Sequence, residues 1–196
     1  GLEPVDMTGS TITNLVFNLP GTADLPILED DGTTGNGISQ IRSQAVVSTF
    51  ETTTFANTVT TVTVNMGGDS GAMTVASMCD FTKTLTINGQ AGADTVNFTG
   101  TTTFTALSVT ATGGITDSAA ASVSVTNAAT FDAGASAIIL ADNATNTLSV
   151  GANASFTGSE ITVPAAGSVN FGNLTYNSAG LVVISEDSAT NVTGTN

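Results

Sequence analysis

Val62-Thr63-Val64-Asn65 and Leu85-Thr86-Ile87-Asn88 are one phrase written twice, 23 residues apart. Side chains alternate along an extended strand, so the outer two residues of each apolar-hydroxyl-apolar triplet face one way and the threonine the other. Leu107-Ser108-Val109, Val123-Ser124-Val125 and Leu148-Ser149-Val150 continue the pattern. Most steps are about 22 to 25 residues, and the step from Leu107 to Val123 is about 16. Val123 to Phe131 and Leu148 to Phe156 share the same internal spacing. A step of this length holds two or three strands of about five residues with their turns, which makes one coil of a β-solenoid. Stacked coils would set Val on Leu on Leu in interior columns and leave the hydroxyls to water. The reading predicts an all-β fold, a parallel β-solenoid of about 22–25-residue coils over residues 55–196. A β-sandwich, whose strands recur about every 8 to 12 residues, is the alternative.

Residues 1–54 read as a less regular β region that caps the first coil or links it to a neighbouring block. Pro20-Gly21, Pro26, Glu29-Asp30-Asp31-Gly32 and Gly35-Asn36-Gly37 punctuate it with turns. Strands are expected over 11–18 and 45–50. Farther on, Ile115-Thr116-Asp117-Ser118-Ala119 is echoed by Ile184-Ser185-Glu186-Asp187-Ser188-Ala189, about three periods later. The interrupted echo, and a start at Gly1 without an apolar leader, lead to the expectation that the chain is a piece of a longer repetitive protein.

Composition agrees with strands and tight turns. Forty per cent of the 196 residues are hydrophobic, with 9 Phe, 1 Tyr and no Trp. β-Branched residues fit a pleated surface, and Gly and Asn tolerate turn dihedrals. Sixteen acidic residues stand against two basic ones, Arg42 and Lys83, for a net charge of −14. Binding to nucleic acid or to anionic lipid needs clustered Lys and Arg, so neither is an expected partner. No apolar run is long enough to span a membrane as a helix. So few basic residues leave almost no sites for trypsin-like proteases, which suits an extracellular location. A single cysteine, Cys79, allows no internal disulfide and is expected to be a small buried residue.

The phrases from Leu85 to Val96, Gly113 to Ala119 and Ile184 to Ala189 resemble those of giant repetitive bacterial surface proteins of the filamentous-haemagglutinin adhesin type. The segment Glu29 to Ile38 is similar to a module that precedes such repeats. The resemblance covers most of residues 55 to 196. It implies secretion, a solenoid-like fold and a structural or adhesive role at the cell surface.

The one metal-like motif, Gly89-Gln90-Ala91-Gly92-Ala93-Asp94-Thr95-Val96, resembles the calcium-binding nonapeptide of β-rolls, with Gln90 in place of a glycine. A roll site is shared between turns, and Gly67-Gly68-Asp69-Ser70-Gly71 is the nearest candidate neighbour. Asp94 and Asp69 are therefore the candidate Ca2+ ligands, set against a plain turn in which Asn65 and Asn88 stack as a ladder. Glu29-Asp30-Asp31 is a second acidic cluster and reads as a solvated turn. Asp117, Glu186 and Asp187 read as corners of the coil. Sequons such as Asn97, Asn143 and Asn153 are expected by chance in a chain rich in Asn, Ser and Thr. No catalytic residue is identified. The chain has no histidine, its two cations stand apart, and its recurrent carboxylates occupy homologous rather than convergent places. The expected partners are copies of itself or adjacent repeats in a fibre. A calcium-stabilised adhesin module holding a host or glycan surface is the second reading.

Overall fold

The computed structural model describes residues 3–187 and 189–195. Strands account for its regular structure, with no helix among the described residues. The coils stack as a parallel β-solenoid of three faces.

The first face begins with Asn14–Asn18, Thr61–Asn65, Thr84–Asn88, Ala106–Thr110 and Ala129–Asp132. It continues through the second halves of the long strands Thr147–Gly158 and Ser168–Ser178 and ends on Asn191–Thr195. The second face stacks Pro26–Asp30, Ala72–Val75, Thr95–Phe98, Gly114–Asp117, Ala137–Ile139, Glu160–Val163 and Val182–Ile184. Thr101–Phe104, Ser122–Val125 and the first halves of the two long strands make the third.

Like stacks on like because every coil must bury the same side. One column runs Leu15, Val62, Leu85, Leu107, Ala129, Ala154, Leu174, each paired with the next. The coil is 23, 22, 22 and 25 residues from Val62 to Ala154 and shortens to 20 at Leu174. Aromatic rings form two further columns in the lumen. Phe17, Phe55, Phe81 and Phe104 follow one another at 5.7, 6.5 and 6.1 Å between ring centroids. Phe98, Phe131, Phe156 and Phe171 follow at 6.5, 5.2 and 5.7 Å. One core therefore runs the length of the stack.

The short step of the sequence has a physical cause. Val123 does not stack on Leu107 but on Thr102 and Leu148, on the third face. The triplets thus belong to two faces with the same in-out alternation, and no coil is 16 residues long. Where the two long strands round a corner of the coil, Gly172 sits over Gly151. A Cβ on Gly172 would fall 2.6 Å from the Gly151 carbonyl oxygen, so only glycine lets the backbones approach there.

Within residues 1–54, Asn14–Asn18 and Pro26–Asp30 already stack in parallel on the later coils. The extra chain between them and Thr61 runs antiparallel. Ile38–Ser43 pairs with Pro26–Asp30, Thr53–Ala56 pairs with Ile38–Ser43, and Val5–Met7 joins the outer edge. Ile41 and Phe55 from this meander are buried in the common core.

Two expectations are corrected. Residues 45–50 form a loop, not a strand, with Val46 and Val47 fully or largely exposed. The hydroxyl of Ser43 accepts the amides of Ala45 and Thr49, giving this backbone a local partner in place of a sheet edge. Cys79 is exposed rather than buried. Met78 takes the inward position, bridged to Thr102, and alternation turns the next residue out.

Candidate functional site

Asp94 lies at the turn from the first face to the second and is fully buried. Its Oδ1 accepts the amide of Gly71 from the preceding coil at 2.7 Å, and its Oδ2 accepts the amide of Gln90 at 3.0 Å. Glycines make room for it. A Cβ on Gly71 would stand 3.2 Å from Asp94 Oδ1, and one on Gly113 would stand 2.7 Å from the Asp94 carbonyl oxygen. The register continues to Asp24 below, so Asp24, Gly71, Asp94 and Gly113 alternate along one corner.

Asp69 lies on the adjacent turn but is exposed, with its backbone packed under Gly92. Gly92 takes φ +106, a left-handed conformation open to glycine. The two candidate calcium ligands thus face opposite ways. No group of three or more His, Cys, Asp or Glu is gathered among the described residues. Both oxygens of Asp94 are engaged by backbone amides, a donor set suited to closing a turn. The asparagine ladder is present and longer than expected: Asn88 donates to Asn65 at 2.8 Å, and Asn65 to Asn18 at 2.7 Å.

Other carboxylates follow the same habit. Asp31 accepts the amide of Thr33, Asp80 those of Gly35 and Gly37, Asp132 that of Gly134 and Asp187 that of Val169. Glu186 accepts the amide of Phe171 at 2.7 Å. Glu29 accepts from Arg42 at 2.6 Å and from Gln40 at 2.9 Å. At each of these places the acid accepts from backbone amides or neighbouring side chains, and no three of these acids gather at one point among the described residues.

Asp117 departs from this pattern. It pairs with Phe98 in the inward column of the second face, where the coil before places Val75. Its Oδ2 accepts the amide of Ala141 at 2.8 Å, and the buried side chain of Asn146 approaches without closing a hydrogen bond of ordinary length. Burial pushes the carboxyl pKa up to about 6. The Asp142 charge adds to the rise, while the Ala141 amide and the Asn146 side chain oppose it.

The sign of the resulting pH dependence follows from proton counting. Between the ordinary value of 3.8 and about 6 the folded chain holds more protons on Asp117 than the unfolded chain does, so stability falls as pH rises through this window. The penalty is fully present above about pH 6 and gone below about pH 4. Asp117→Asn keeps an acceptor for Ala141 and is expected to stabilise the protein at pH 8 by on the order of 1 kcal/mol, after discounting for the partial exposure of the group. Thermal melts of both proteins between pH 3.5 and 8 check this. Equal pH slopes for the two would remove Asp117 as the cause.

A groove of about 590 Å³ opens beside Lys83, where the antiparallel meander meets the second coil. Residues from four separate stretches line it, among them Thr8, Asn36, Ile38, Asn57, Asp80 and Lys83. Sequence reasoning did not find this groove. Its one signal was that Lys83 is one of only two cations in the chain.

No family model matches the chain, and neither a curated protein nor a solved structure is similar enough to count as a match.

Proposed function

We propose that the chain is a non-catalytic structural module of an extracellular bacterial surface fibre, a stiff rod made by stacking β coils. The observation that carries this reading is the unbroken apolar core, built from in-register columns that pass from coil to coil. Such an architecture transmits length and stiffness, each coil adding about 4.8 Å along the axis. The surface fits the role: it is strongly acidic and, with two basic residues, offers few tryptic sites. At the last coil Leu174, Tyr176, Val182, Ile184 and Val192, together with Glu186 and Thr190, line a mainly apolar cleft of about 270 Å³. A further coil of the same design, laid on Val182–Ile184 and Asn191–Thr195, would close it.

Electron microscopy of the full secreted polypeptide is expected to show thin, extended, unbranched fibres. Labelling with antibody on unpermeabilised cells is expected to place them outside. Compact globular particles, or label only after permeabilisation, would sink the proposal.

A further inference from the structure

The groove beside Lys83 holds several polar groups that the fold itself leaves unused. Lys83 is half-buried and makes no ion pair or side-chain hydrogen bond among the described residues, although the chain carries 16 acids. Arg42, the other cation, is engaged by Glu29 at 2.6 Å. Asn57 is 8% exposed, and neither its Oδ1 nor its Nδ2 has a partner among the described residues. Leaving both ends of an amide unpaired is costly, and a position that served packing alone would not need an amide. The backbone around Asn57 is held in place, its amide donating to the Gly37 carbonyl at 2.7 Å. Turning the side chain toward the groove therefore breaks no hydrogen bond.

Asp80 is pre-set in the same way. Its Oδ2 accepts the amides of Gly35 at 2.8 Å and Gly37 at 3.1 Å. These glycines take φ +83 and +70, so the loop is shaped around the carboxylate by residues that adopt left-handed backbone at low cost. Only Oδ2 is used in this, and Oδ1 is left to accept from elsewhere.

The chemistry of the lining points to one class of ligand. Asp80 and Lys83 cancel in charge, which gives no preference for an ion. Donors and acceptors are both present and both unspent, which suits hydroxyl groups that give and take a hydrogen bond at once. Ile38 and Ala56 add a small apolar surface, and the volume is that of a small-molecule site. We propose that this groove binds a neutral sugar residue, with Lys83 and Asn57 donating to its oxygens and Asp80 accepting from its hydroxyls. The rod reading does not depend on this, since a solenoid with an empty groove remains a rod.

Saturation-transfer NMR of the full chain with glucose, galactose and N-acetylglucosamine tests the proposal, with glucuronate and inorganic sulfate as charged controls. At least one neutral sugar is expected to bind saturably, with Kd on the order of 1 mM. Asn57→Ala and Lys83→Gln are each expected to weaken it tenfold or more. In the absence of sugar, Asn57→Ala is expected to raise the melting temperature, because it removes a buried amide that nothing satisfies. Three outcomes overturn the proposal: no saturable binding of any neutral sugar, binding only of the charged controls, or affinity unchanged in both variants. A lower melting temperature for Asn57→Ala would do so too, by showing that the amide serves the fold.

Discussion

Phe156→Ala is expected to lower stability by about 3–5 kcal/mol, the range for truncating a buried Phe in a core that cannot fully collapse. Phe156 is wholly buried, lies flat against Phe131 at 5.2 Å with 11° between ring planes, and meets Phe171 at 5.7 Å. Its loss opens a void between two rings that are fixed by their own strands. Those strands are pinned by register, since Phe131 pairs with Phe156 and Phe156 with Tyr176. The gap therefore cannot close by sliding one coil without breaking ladder bonds on both sides. At roughly 2–4 °C per kcal/mol for a chain of this size, the melting temperature should drop by about 6–20 °C. Because each coil contacts mainly its neighbours, hydrogen exchange should accelerate most over Ala129–Asp132, Thr147–Gly158 and Ser168–Ser178. A drop below about 1 kcal/mol, or exchange that rises equally everywhere, would show that the lumen repacks instead of holding its columns.

The architecture was legible because stacking imposes a sequence rule. Val62, Leu85 and Leu107 repeat at nearly even steps for the reason that they lie on one another. Which face a triplet occupies was not legible. Val123-Ser124-Val125 looks like Leu107-Ser108-Val109 because both faces demand the same alternation, so only pairing distinguishes them. Asp117 carried a signal that reading it as a corner passed over. With Ile115 inward and Thr116 outward, alternation alone turns the next side chain in, whatever its charge. Cys79 and the Val46-Val47 pair show the converse: residue type suggests burial or strand, and position overrides it. The groove beside Lys83 was out of reach altogether. Its residues come from stretches as far apart as Thr8, Asn36, Asn57 and Lys83, and no local pattern records that the meander folds them together.

The turn at Asp94 gives the second large effect. Asp94→Ala is expected to cost about 2–4 kcal/mol, because it strands the amide of Gly71 in a buried corner, at about 1–3 kcal/mol for an unsatisfied buried group, and takes from the partly exposed amide of Gln90 its bond to the carboxylate, at about 1 kcal/mol. Asp94→Asn should recover only part of this loss. Its carboxamide keeps one acceptor, but its amino group meets a second N–H where the carboxylate had offered an oxygen. The same pair of variants separates the turn from the calcium reading of Asp94 and Asp69. If amides alone occupy the carboxylate, EDTA leaves the melting temperature of the unaltered protein where it was, while both substitutions lower it. If a calcium ion shared by adjacent turns supplies the stability, EDTA reproduces most of the loss seen in Asp94→Ala, and Asp69→Ala lowers the melting temperature as well. The geometry favours the first result. Asp69 points to solvent, so Asp69→Ala is expected to change stability by less than about 0.5 kcal/mol. Calorimetry of the three variants with and without EDTA therefore decides whether this corner is closed by its own backbone or by an ion.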